Sequence, residues 1–167
     1  MRILVAEDET LIRLDLCAAL QAAGYETIEA RDGVEAVSLA REHDPDLAVL
    51  DVKMPNLDGV EAARRITSAQ QIAIVLVTAY SDSALVARAI GAGIYSYLVK
   101  PFRESEIVPA VETALARRRD WLETRRELGR RPDTQSVEVV VQGTNRYPLR
   151  ITKRSDGSVD VTLSDDP

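Results

Sequence analysis

Three carboxylates, one hydroxyl and one ammonium stand where apolar runs of this sequence end. Glu7 and Asp8 follow the run Ile3 to Ala6, Asp51 follows Leu47 to Leu50, Thr78 follows Ile72 to Val77, and Lys100 comes shortly after Ile94 to Leu98. If those runs are parallel strands, all five groups lie at carboxyl ends, where open α/β sheets bind ligands. Carboxylates gathered there repel one another unless something positive sits among them. A hard cation such as Mg2+ answers that need, since it takes oxygen ligands and keeps several waters. Asp8 and Asp51 are the best ligand candidates, with Glu7 acting directly or through water and the Lys53 main-chain carbonyl completing the set. An acidic rim without metal is the alternative. Lys100 could neutralise phosphoryl oxygens, Thr78 could donate a hydrogen bond, and Asp51 is placed for in-line attack on phosphorus.

The elements that must position these groups are legible as alternating short apolar runs and longer helical stretches, the pattern of a doubly wound α/β sheet. The strands read as Ile3 to Ala6, Tyr25 to Glu29, Leu47 to Leu50, Ile72 to Val77 and Ile94 to Leu98. The consecutive apolar residues of Leu47 to Leu50 suit a strand covered on both faces. Between the strands, a first helix carries Leu11, Leu14 and Ala18 on one face and stops at Gly24. A second follows Asp32-Gly33 through Val34, Val37 and Leu39, a third runs from Gly59 through Ala62, Ala63 and Ile66, and a fourth carries Leu85, Val86 and Ile90. Right-handed crossovers arrange five such units most simply as a flavodoxin-like five-stranded parallel sheet of order 2-1-3-4-5. That order sets Glu7 and Asp8 beside Asp51.

With 167 residues and 46% hydrophobic content, the chain can bury one ordinary core and carry a smaller appendage. A net charge of -6 argues against general affinity for nucleic acid or anionic membrane. Only residues 106–131 are net basic, with 7 Lys and Arg against 5 acids. One cysteine, Cys17, excludes an intrachain disulfide and reads as a buried structural thiol. Met1-Arg2 leads straight into a strand-like run without a leader pattern, and no apolar run approaches membrane-spanning length, so a cytoplasmic protein is expected.

Taken together, Val-Ala-Glu-Asp-Glu, Leu-Asp-Val-Lys-Met-Pro-Asn-Leu-Asp-Gly, Val-Thr-Ala and Tyr-Leu-Val-Lys-Pro-Phe closely resemble the receiver domain of two-component response regulators, over residues 1 to about 118. The resemblance implies that Asp51 takes a phosphoryl group from a phosphohistidine on a sensor histidine kinase, with Mg2+ held by Glu7, Asp8, Asp51 and the Lys53 carbonyl. It also implies that Thr78 moves toward the new phosphate, that Tyr97 swings inward behind it, and that the bond before Pro101 is cis. Glu7 departs from the family's commoner Asp, and its longer side chain would relay through water. Lys53 and Tyr80, two residues after Asp51 and Thr78, would flank the phosphate entrance and tune the access of attacking water.

The stretches Ala-Glu-Asp-Glu-Thr-Leu-Ile-Arg, Asp-Val-Lys-Met-Pro and Tyr-Leu-Val-Lys-Pro-Phe are similar to those of receivers joined to ANTAR domains, the RNA-binding helical modules of antitermination regulators, but the likeness stops near Arg131. From Glu104, apolar residues Ile107, Val111, Ala114, Leu115, Leu122 and Leu128 keep helical spacing beyond a receiver's usual last helix. Such an extension could pair with a second copy through Trp121 and Leu122. Pro132-Asp133 breaks it. Then Val137, Val139 and Val141, Tyr147, Leu149 and Ile151, and Val159, Val161 and Leu163 alternate with polar residues as a three-stranded antiparallel meander. The chain thus divides into a receiver at 1–118, a helical linker at 119–131 and a meander at 132–167. The expected function is a phosphorylation-switched regulator whose output is protein contact, not an enzyme beyond its own Mg2+-dependent phosphorylation and dephosphorylation. RNA binding through the basic stretch Arg117 to Arg131 is the alternative. A haloacid-dehalogenase-type phosphatase is discounted because Lys53 stands where that family wants a second Asp.

Overall fold

The computed structural model describes residues 1–79 and 94–128, together with the strands 136–139, 149–153 and 159–163. Five strands form one parallel sheet: β1 (Arg2–Ala6), β2 (Glu26–Ala30), β3 (Leu47–Asp51), β4 (Ala73–Ala79) and β5 (Ile94–Lys100), in the order β2-β1-β3-β4-β5. Helices α1 (Thr10–Ala22), α2 (Gly33–His43), α3 (Gly59–Ala69) and α4 (Glu104–Leu128) complete the described layers. The sheet order is the one expected. Tyr25, expected in the second strand, is held instead by its N–H to the Leu20 carbonyl at the end of α1, so pairing begins one residue later. The expected fourth helix, with Leu85, Val86 and Ile90, lies outside the described residues.

Alternate strand residues feed two cores. Leu4, Ala6, Ala48, Leu50, Ile74 and Leu76 pack with Ala36 and Ala40 of α2 and Ala62, Ala63 and Ile66 of α3. Ile3, Val5, Leu47, Val49, Val75 and Val77 pack with Leu16, Cys17 and Leu20 of α1 and Ile107, Val111 and Ala114 of α4. Both faces of the central strands are therefore covered, as the uninterrupted apolar run of β3 requires. The α1 face read from the sequence is corrected. Leu11 is 77% exposed and Leu14 48%, whereas Arg13, Leu16, Cys17, Ala19 and Leu20 are buried. Apolar residues occupy so much of this helix that two stripes fit the period, and the buried one includes a charged residue.

Helix starts use the expected chemistry. Asp32 and Asp58 cap α2 and α3 by accepting from the backbone N–H groups of Glu35 and Glu61, each at 2.8 Å. Gly24 ends α1 at φ 87°, a conformation glycine adopts without strain. Helix α4 runs 25 residues with Pro109 inside it. Arg117 donates to the Tyr95 carbonyl at 3.2 Å and Arg118 to the Gln71 carbonyl, so the start of the basic run is tied to the sheet side of the domain. Trp121 and Leu122 are half-buried.

Strands β6 (Ser136–Val139), β7 (Leu149–Lys153) and β8 (Val159–Leu163) form an antiparallel sheet of order β6-β7-β8. Their register aligns Val137, Ile151 and Val161 in one row and Val139, Leu149 and Leu163 in the next. Val141, Tyr147, the break at Pro132 and the turns at 143–145 and 155–157 lie outside the described residues. Among the described residues, no helix is long and apolar enough to cross a membrane.

Candidate phosphoacceptor site

The parallel register brings the sequence-derived groups to one edge of the sheet. Asp51 is the last residue of β3 and pairs with Val77, while Thr78 pairs with Val99 and Ala79 with Lys100. Thr78 is thus the penultimate residue of β4 and Lys100 the last of β5, rather than residues just beyond the strands. Glu7 follows β1 directly, and its N–H donates to the Ala30 carbonyl at the end of β2.

At the centre, Lys100 Nζ lies 2.8 Å from Glu7 Oε2 and 3.1 Å from Asp51 Oδ1. Glu7 Oε1 accepts from the Glu9 N–H at 3.3 Å, and Asp51 Oδ2 accepts from the Lys53 N–H at 3.2 Å. Glu7 is fully buried, Asp51 nearly so, and Asp8 is exposed. Burial pushes the Glu7 and Asp51 carboxyls above their ordinary values, and Lys100 pulls both back without cancelling the effect. Burial alone would lower the Lys100 ammonium, but contacts with Glu7 and Asp51 outweigh it and hold the group above its usual value.

One ammonium cannot balance this many acids. One carboxylate oxygen from each of Glu7, Asp8 and Asp51 lies within 4.8 Å of the others. An all-oxygen donor set with surplus negative charge fits a hard divalent cation such as Mg2+. The carbonyl of Lys53 adjoins the same loop; Lys53 itself is exposed.

Around this centre, Thr78 is buried and its Oγ1 donates to the Ala79 carbonyl at 3.1 Å. Tyr97 is 6% exposed, packed into the core formed with α2 and α3, and burial pushes its phenol up to about 12. The Lys100–Pro101 peptide is cis. Tyr80 lies outside the described residues.

Several positioning groups escaped the sequence reading. Asn56, at φ 65°, donates from its side chain to Asp32 Oδ2 at 2.8 Å, tying the loop after Asp51 to the α2 cap. Gly33 and Gly59 permit that loop to close, because a Cβ at either would overlap the carbonyl oxygen of Leu57 or Asp51. Both glycines follow an Asp, and the Asp-Gly pairs were the available signal. Arg13, buried on α1, donates from Nη1 to the Glu7 carbonyl at 2.6 Å. Only its place between apolar residues marked it.

Comparison with known proteins agrees with this geometry. The family model described as the response regulator receiver domain matches residues 3–112. Transcriptional regulatory protein PdtaR of Mycobacterium tuberculosis is 52% identical over 120 residues, which are 71% of this chain and 58% of that protein. DNA-binding response regulator MtrA of the same species is 33% identical over 119 residues, covering 71% of this chain and 52% of MtrA. The chain therefore spans little more than half the length of these relatives. A solved response regulator receiver domain protein from Clostridium thermocellum superposes with a TM-score of 0.67 at 27% identity, covering 72% of this chain and 98% of that one. The chain belongs to the response regulator receiver family.

Proposed function

We propose that the chain is a cytoplasmic response regulator that accepts a phosphoryl group on Asp51 from a phosphohistidine of a sensor histidine kinase. In the transfer, an Asp51 carboxylate oxygen forms a bond to phosphorus as the phosphorus–nitrogen bond breaks, and the departing imidazole nitrogen takes up a proton. The observation that carries this reading is Lys100 Nζ at 3.1 Å from Asp51 Oδ1, within a nearly closed acidic centre at the carboxyl edge of a parallel sheet. Glu7, Asp8, Asp51 and the Lys53 carbonyl are the groups that would hold Mg2+, which when bound neutralises phosphoryl oxygens. Thr78 gives up its bond to the Ala79 carbonyl to meet the phosphate, with Tyr97 packed behind it. Lys53 and Tyr80 tune the access of water to the resulting acyl phosphate, whose hydrolysis resets the switch.

Residues 1–118 act as the receiver, 119–131 as a helical connector and 132–167 as a meander. The output is a change in protein contact through the last helix and the meander, homodimerisation being the simplest form. A meander this small cannot form a core alone. An RNA-binding output through Arg117 to Arg131 has less support, because Arg117 and Arg118 are engaged with main-chain carbonyls of the receiver. Light scattering with Mg2+ and beryllofluoride, an acyl phosphate mimic, tests the proposal. The expected result is a change in mass that Asp51→Ala abolishes; the same response in Asp51→Ala would refute it.

A further inference from the structure

We propose that Arg13 is a positioning residue for the acidic pair, holding the Glu7–Asp8 peptide so that Asp8 faces Asp51 across the cation site. The proposal rests on the metal reading of that site. Arg13 is the one charged residue in the buried stripe of α1 and is 7% exposed. Its Nη1 donates to the Glu7 carbonyl at 2.6 Å, and its Nε donates to Glu29 Oε2 at 3.2 Å. On the other side of the same residue, the Glu7 N–H donates to the Ala30 carbonyl at 3.2 Å. Both peptide groups flanking the Glu7 Cα are therefore gripped, one by the end of β2 and one by a guanidinium anchored to β2.

Asp8 is the member of the cluster that needs this help. Glu7 and Asp51 are fixed by burial and by Lys100, but Asp8 is exposed, and among the described residues no hydrogen bond or ion pair of its carboxylate is found. Its direction is set by the backbone that Arg13 holds. Partners that orient a ligand in this way contribute strongly to metal affinity although they never touch the ion.

The charge of Arg13 makes the inference separable from a simple electrostatic role. A guanidinium beside a cation site repels the cation, so removing it should tighten metal binding if charge alone mattered. A positioning role predicts the opposite sign. Mn2+ alone serves as probe, with free Mn2+ read by electron paramagnetic resonance on the full chain and thermal unfolding in EDTA followed in parallel. Arg13→Gln should weaken Mn2+ binding about tenfold. Arg13→Lys should recover part of that loss, because an ammonium can reach one carbonyl but cannot reproduce the guanidinium fork. A merely structural role would lower the unfolding temperature and leave the affinity of the folded protein alone.

Unchanged or tighter binding in folded Arg13→Gln overturns the proposal. If that variant does not fold, Arg13→Lys decides, since it keeps the positive charge and loses the guanidinium fork. Weaker Mn2+ binding there supports the proposal, and wild-type binding overturns it. Asp8→Asn is the reference: loss of binding in Asp8→Asn with full binding in the Arg13 variants sinks the positioning role alone. A wild-type chain that binds no Mn2+ sinks the metal reading and this inference together.

Discussion

Replacing Lys100 with methionine removes the cation that bridges two buried acids while keeping most of the side-chain volume. Its Nζ sits 2.8 Å from Glu7 and 3.1 Å from Asp51, and the three side chains are 20%, 0% and 6% exposed. At an effective dielectric near 20, each contact carries about 5 to 6 kcal/mol of gross attraction. Much of that is offset by the cost of bringing the charges out of water. Removing one partner of a buried pair leaves uncompensated charge and costs about 3 to 5 kcal/mol. For Lys100→Met in metal-free buffer at pH 7.5, we expect a loss near the lower end, about 3 kcal/mol, or roughly 10 °C in Tm.

The pH dependence identifies the cause. Glu7 and Asp51 have folded pKa values raised above their ordinary 4.5 and 3.8, and without Lys100 they rise further. Such groups favour the folded state fully below the unfolded values and progressively less as pH rises through the folded ones. The gap between wild type and Lys100→Met is therefore widest at neutral pH and closes as pH falls toward about 4. Lys100, raised above 10.5, contributes below that value and ceases to contribute as pH rises through its folded pKa, so the gap narrows in strong alkali as well. Urea unfolding of both proteins in EDTA from pH 4 to 8, followed by circular dichroism, measures this. A gap that stays constant across the range, or stays below about 0.5 kcal/mol at pH 7.5, would refute the buried-charge argument.

Three further outcomes follow from the geometry. Gly59→Ala drives a Cβ into the Asp51 carbonyl oxygen, a backbone atom that cannot step aside, so we expect a loss of about 1 to 3 kcal/mol in urea unfolding together with slower phosphorylation by acetyl phosphate. The Tyr97 phenol, raised to about 12, adds stability that is present below the ordinary value of 10 and lost as pH rises through 12; ultraviolet titration should show that Tyr97→Phe deletes a late tyrosinate step. Arg117→Ala with Arg118→Ala removes the donors to the Tyr95 and Gln71 carbonyls and should cost about 2 kcal/mol by thermal unfolding, whereas unchanged stability would mean these bonds do not hold the helix.

Much of the fold was legible because strand runs and turn residues are local signals. The apolar run of β3 and the Asp-Gly pairs before α2 and α3 announce buried strand and helix start without reference to the rest of the chain. The acidic centre was legible one step later, because sheet order sets which strand ends are neighbours. Less visible was what depends on facing. Helix α1 has enough apolar residues for two stripes, and tertiary packing chose the one with Arg13 over the one with Leu11 and Leu14. Long-range polar contacts were also invisible. The Asn56–Asp32 bond spans 24 residues and the Arg118–Gln71 bond 47, and no periodicity encodes either. The basic run beginning at Arg117 gave no sign that its first two arginines, Arg117 and Arg118, donate to carbonyls of the same domain.

The most direct test of the central claim is intact-protein mass spectrometry after incubation with acetyl phosphate and Mg2+, alongside an ordinary receiver as positive control. One labile phosphate should appear on the wild-type chain and vanish in Asp51→Asn or when Mg2+ is replaced by EDTA. No phosphate on the wild type under conditions that label the control, or one that persists in Asp51→Asn, would contradict it.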